Sequence, residues 1–179
     1  MAWALAADMP ERLASLTAMS VPHPAAFLRA MPTSRQAFAS WYISFFQIPG
    51  IPERYLLSGD GSGSRMSRFM QSKAGQPKDA ADRDARAMSE PGVLTAALNW
   101  YRAIPLSGIP RINRKITVPT MFVWSDRDAG LVEKGARLTG DHVSAEYRFK
   151  ILSGSHWLLD EQSDAVADLL LEWLAAHPG

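Results

Sequence analysis

The chain has 179 residues, 47% of them hydrophobic, with 19 Lys and Arg against 18 Asp and Glu for a formal net charge of +1. That length and apolar content suit one domain with an ordinary globular core, and charges of both signs are interspersed, which leaves no electrostatic footprint for nucleic acid or an anionic membrane. Four His and no Cys exclude disulfides, thiolate zinc sites and a Cys nucleophile.

Residues 1–9 have helical composition and stop at Pro10, because the residue before a proline is pushed out of the α region. This start lacks a basic n-region and meets Asp8 too early for a secretory signal, and no apolar run could span a bilayer, so a soluble cytoplasmic protein is expected. Residues 13–21 read as a strand, followed by His23 as a rigid turn residue between two prolines. From 22 to 113 no alternating pattern appears. Ser34 can cap a helix whose Ala37, Phe38, Trp41, Tyr42, Phe45 and Phe46 keep a 3.6 period until Pro49 and Gly50. Residues 65–72 and 79–89 are weaker helices, and 90–103 is a stronger one with Val93, Leu94, Ala97, Leu98 and Tyr101 on one face. The run Gly59-Asp-Gly-Ser-Gly-Ser64 has neither the preceding strand nor the Lys of a phosphate loop and reads as a linker. Arg111, Arg114 and Lys115 read as a solvated basic spot. A helical insertion between strands has the look of a lid.

Residues 118–124 form an apolar run that breaks into Ser125-Asp-Arg-Asp128, a buried strand delivering acids at its C-terminal end. A helix over 130–139, a strand over 145–152 ending in Ser153-Gly-Ser-His156-Trp157, and a helix over 160–175 follow. In a right-handed βαβ crossover both loops emerge on one edge of the sheet, so Asp128 and His156 can touch. A carboxylate that orients an imidazole is two thirds of a nucleophile–base–acid set. No Ser or Asp of these residues has Gly at both −2 and +2, as a strained nucleophile elbow needs. His142 and His177 read as exposed and without spaced partners, so no metal and no cofactor is expected.

The run Val118-Pro-Thr-Met-Phe-Val-Trp-Ser-Asp-Arg-Asp128 with Gly154-Ser-His-Trp157 resembles the acid and histidine segments of the α/β-hydrolase superfamily. Ser20-Val-Pro-His-Pro24, Tyr42-Ile-Ser-Phe-Phe-Gln-Ile-Pro-Gly50 and Leu98-Asn-Trp-Tyr-Arg102 are similar to segments of its epoxide hydrolases. The resemblance implies a partial α/β-hydrolase fold: about three parallel strands with flanking helices, residues 1–21 and 114–179 in the core, and 22–113 as a helical cap. It makes the chain a C-terminal portion that begins just after the nucleophile. The catalytic set it implies is Asp128, His156, Tyr42 and Tyr101. Asp128 is preferred to Asp126 because the family's acid closes a G-x-x-D turn, here with Ser125 in place of Gly. The implied reaction turns a small apolar epoxide into a diol through a covalent ester. An aspartate attacks while both phenols hold the epoxide oxygen, and His156 then activates water. The tyrosines each sit among aromatics, which by itself would read as core. Without the upstream aspartate the chain alone should be silent, and its first strand should offer an open edge for self-association. A haloalkane dehalogenase, an esterase, or a non-catalytic remnant or partner subunit are the alternatives.

Overall fold

The computed structural model describes residues 2–59, 65–106 and 113–178, so most of the Gly59 to Ser64 linker and Arg111 of the basic spot lie outside it. Strands β1 (Leu16–Met19), β2 (Thr120–Ser125) and β3 (Tyr147–Leu152) form one parallel sheet in that order. Helix α1 (Ala2–Asp8) precedes β1. Between β1 and β2 come α2 (Pro24–Ala30), α3 (Gln36–Ala39), α4 (Trp41–Phe46), α5 (Ile51–Leu56), α6 (Arg65–Ala74), α7 (Lys78–Met88) and α8 (Val93–Arg102). Helix α9 (Glu133–Leu138) joins β2 to β3, and α10 (Leu158–Glu161) and α11 (Ser163–Ala176) follow β3.

Every residue of β2 is buried, as a strand covered on both faces must be. On one face Phe122 and Trp124 meet Trp3 and Ala6 of α1, Leu16 and Ala18 of β1, and Ala136 of α9, and Phe122 stacks on Phe149 at 5.7 Å. On the other, Met121 and Val123 meet Leu158, Val166 and Trp173 from α10 and α11. The helices between β1 and β2 build a second core of Phe46, Leu56, Met66, Met70, Ala81, Ala85, Leu94 and Leu98. Helix α2 packs instead on α9, where a Cβ added at Gly135 would lie 3.7 Å from Ala30 Cβ, so this first helix after β1 sits with the sheet.

Several elements are shorter or more broken than periodicity suggests. The strand over 13–21 narrows to Leu16–Met19 because Pro10–Arg12 is a 3-10 turn and Ser20 turns to φ 57. The helix after Ser34 divides at Ser40, and the C-terminal helix divides at Gln162, whose φ of −135 leaves the α region. The helix over 130–139 starts only at Glu133, since the amides before it are committed to the side chains of Asp128 and Gln36. His142 and His177 are not exposed: His142 stacks on His23 at 4.6 Å and 6°, and the His177 side chain, 12% exposed, packs on Trp173. Aromatic stacking recovers the surface that a polar reading assigned to water.

Phe122→Ala should lower the unfolding free energy by about 3–5 kcal/mol, while Phe38→Ala, at a side chain 82% exposed, should stay within about 0.5 kcal/mol, both read from urea titration. A pH effect follows from His23. Burial, with His142 beside it, lowers this imidazole from 6.5 to about 4, and His142 is lowered as well, chiefly by burial. The fold thus favours neutral rings. The contribution is complete above the ordinary histidine range and is lost as pH falls through it toward about 4. Unfolding free energies measured from about pH 7 down to about pH 4 should decline, with a shallower slope in His23→Gln.

Candidate active site

The three strands end on one edge, and their loops are bonded to one another there. Asp126 N donates to Leu152 O at 3.1 Å, Arg127 N to Gly154 O at 3.0 Å, and Gly154 N to Asp126 Oδ1 at 3.1 Å. Asp126 is therefore occupied in stitching the acid loop to the histidine loop. Asp128 faces the other way. Its Oδ1 accepts from Gly130 N at 2.8 Å and Leu131 N at 2.9 Å, and its Oδ2 lies 2.7 Å from His156 Nδ1. Opposite a carboxylate the ring nitrogen carries the proton and donates, which leaves Nε2 as the acceptor. The Asp128 side chain is 0% exposed and that of His156 30%, so the acid is sealed and the base is open to solvent.

The histidine loop is held from three sides that sequence reading did not single out. Glu161 accepts from Ser155 N at 2.8 Å and Ser155 Oγ at 2.6 Å, and these bonds pull its carboxyl below the usual range. Ser20 Oγ donates to His156 O at 3.1 Å, and the left-handed φ of 57 at Ser20 turns the chain at the end of β1. Gly75, between α6 and α7, comes so close that a Cβ there would stand 2.9 Å from Ser155 Cβ, and its φ of +71 also favours glycine. The Ser20-Val-Pro-His-Pro24 segment carried a signal for the second of these, Ser20. Nothing in the local pattern marks Gly75.

Tyr42 of α4 and Tyr101 of α8 meet edge to face with ring centroids 5.9 Å apart, and both pack on the second core. Burial raises both phenols above their ordinary range, and for Tyr42 the neighbouring Tyr101 and Asp128 add to it. Both hydroxyls stay protonated at neutral pH and can donate. Tyr42 reaches down to the acid loop, since a Cβ on Gly130 would lie 3.9 Å from its hydroxyl oxygen and 3.6 Å from Asp128 Oδ1. A cavity of about 250 Å³ lined by Trp41, Phe45, Tyr55, Arg65, Phe69 and Lys73 contains none of Asp128, His156, Tyr42 and Tyr101. Among the described residues no group of three His, Asp or Glu could hold a metal, and no helix is long and apolar enough to cross a membrane.

No protein-family model matches the chain. It is 33% identical to the AB hydrolase superfamily protein YfhM of Bacillus subtilis, over 97% of this chain and 61% of that one. It is likewise 33% identical to epoxide hydrolase 4 of Mus musculus, over 97% of this chain and 50% of the relative. The chain thus spans between half and two thirds of these relatives' length. The crystal structure of the M145A mutant of an epoxide hydrolase from Bacillus megaterium superposes with a TM-score of 0.76 at 21% identity, covering 97% of this chain and 64% of that one. With three parallel strands, an acid and a histidine on their C-terminal edge and this likeness along its length, the chain belongs to the α/β-hydrolase superfamily, among its epoxide hydrolase-like members.

Proposed function

We propose that the chain carries the electrophile and the hydrolytic base of an epoxide hydrolase, and that the attacking carboxylate is supplied by residues outside these 179. The observation that carries this is the 2.7 Å contact of His156 with a sealed Asp128, next to paired neutral tyrosines of which Tyr42 reaches the same loop. Residues 1–21 and 114–179 act as hydrolase core and 22–113 as the cap that brings the tyrosines over it, apart from α2, which packs on α9 with the sheet.

In the first step a carboxylate attacks one epoxide carbon, the C–O bond breaks, and the electron pair moves to the oxygen. The Tyr42 and Tyr101 hydroxyls donate to that oxygen as its charge builds, and their raised pKa keeps the protons in place until then. In the second step His156 Nε2 takes one proton from water, the hydroxide attacks the ester carbonyl, and the acyl C–O bond to the substrate breaks. The proton of the new carboxyl group passes to the departing oxygen, the imidazolium proton replaces the one lent by the tyrosines, and the diol leaves. Asp128 stabilises the imidazolium while it exists. The substrate class is a small, largely apolar epoxide. The relatives named epoxide hydrolase and the tyrosine pair of the cap support this reading over dehalogenation or ester cleavage.

Fusing the chain to the part of the Bacillus subtilis relative outside the match should give a protein that converts a styrene-oxide-type epoxide to its diol. The chain alone should stay at the buffer rate. In the fusion, His156→Ala should trap the ester, visible as an added substrate mass, and Tyr42→Phe should lower kcat/KM by roughly 10²-fold. Turnover by the chain alone that His156→Ala abolishes would place the nucleophile within it.

The outer edge of β1 has no strand partner among the described residues, and we propose that it drives self-association of the isolated chain. Sedimentation velocity should reveal oligomers that a Lys at Thr17 suppresses, and a monomer at tens of micromolar would refute this.

A further inference from the structure

Gln36 is fully buried, yet it lies in the cap rather than in any segment that carries the acid or the base. Its Nε2 donates to Gly130 O at 2.7 Å and to Ser40 Oγ at 2.8 Å, and its Oε1 accepts from Val132 N at 3.0 Å. The amide orientation is fixed by this network, since the flipped form would set oxygen against the Gly130 carbonyl and NH₂ against the Val132 N–H. The two backbone groups it grips flank Leu131. The Gly130 carbonyl belongs to the same peptide plane as the Leu131 N–H that donates to Asp128 Oδ1. The Val132 N–H shares its plane with the Leu131 carbonyl, which accepts from Trp124 Nε1 at 3.0 Å. Both peptide planes of Leu131 are therefore pinned, and hydrogen bonds run unbroken from Gln36 through one of them to Asp128 and His156. Such chains polarise their members in turn. On its other side Gln36 holds Ser40, the buried joint between α3 and α4, two residues before Tyr42.

We infer that Gln36 is a positioning residue that ties the tyrosine-bearing cap helix to the acid loop and so keeps the Asp128–His156 pair and Tyr42 in register. It touches no reacting atom. The role rests on the hydrolase reading, whereas the bonds do not, and the test separates the two.

The experiment is NMR on the full chain, with amide exchange at Leu131 and Val132 and the His156 Hδ1 resonance as readouts that need no turnover. In the unmodified chain both amides should exchange as slowly as those of β2. Exchange at open-loop rates would overturn the inference before any variant is made. Gln36→Leu and Gln36→Glu, each lacking the two donors, should speed exchange at both amides by about tenfold or more and broaden the Hδ1 signal into water. Gln71→Leu, which removes a cap amide that donates to Ser67 Oγ at 2.9 Å, should leave both readouts unchanged. If Gln36→Leu lowers the thermal midpoint but leaves Leu131 exchange and the Hδ1 signal as they were, Gln36 is merely structural. A fusion that fails to hydrolyse any epoxide removes the hydrolase reading, and the spectra still decide the tie. In an active fusion, Gln36→Glu should lower kcat about tenfold or more with KM changed far less, because Gln36 acts through the loop and Ser40 rather than on the substrate.

Discussion

A carboxylate with no exposed surface must have its charge met by the protein, and Asp128 sets terms for everything around it. Two backbone amides and one imidazole meet that charge, so residues 128–132 cannot spend those amides on a helix. The loop consequently stays open until Glu133, and other side chains take its carbonyls. Trp124 takes one from within β2, and Gln36 takes another from the cap. The cap is thus joined to the sheet through the same loop whose amides hold Asp128.

The sheet makes this arrangement possible with few strands. Parallel order β1-β2-β3 sends three chain ends out of one edge, and each end does a different job there. β2 delivers the acid, β3 delivers the imidazole, and β1 delivers Ser20, whose left-handed backbone lets its hydroxyl hold the His156 carbonyl. Asp126 illustrates how one position decides a role in this loop. Two residues before Asp128 in an acid-rich turn, it accepts from Gly154 N and so fixes the distance between the loops rather than the tautomer of the base.

The parts legible in the sequence were those with a period or a motif. The three strands, the helix over 65–72, and the meeting of Asp128 with His156 follow from apolar runs, turn chemistry and crossover handedness. What escaped was set by tertiary contact. No periodicity tells that the helix after Ser34 breaks at Ser40, because the break serves the Gln36 side chain and not the apolar stripe. Gln36 reads as a surface residue by composition, and only the approach of residues 130–132, about a hundred positions away, makes burial affordable. Nothing local marks Gly75, whose lack of a Cβ matters for the contact with Ser155. His142 and His177 were misjudged as exposed for the same reason, since a stacking partner is not visible from the residue itself.

The aromatic core of the cap links packing to chemistry. Tyr42 and Tyr101 touch each other and share Phe46, at 5.5 Å and 5.1 Å, so each phenol is fixed by rings whose own burial stabilises the cap. Withdrawal from water makes phenolate costly, and the nearby Asp128 charge makes it costlier still at Tyr42. A hydroxyl in that position cannot lose its proton spontaneously but can lend it to an oxygen that gains charge. The carboxylate that meets the His156 ring therefore also favours the protonated phenol of Tyr42. One buried carboxylate thus bears on two side chains from different elements, His156 after β3 and Tyr42 on α4.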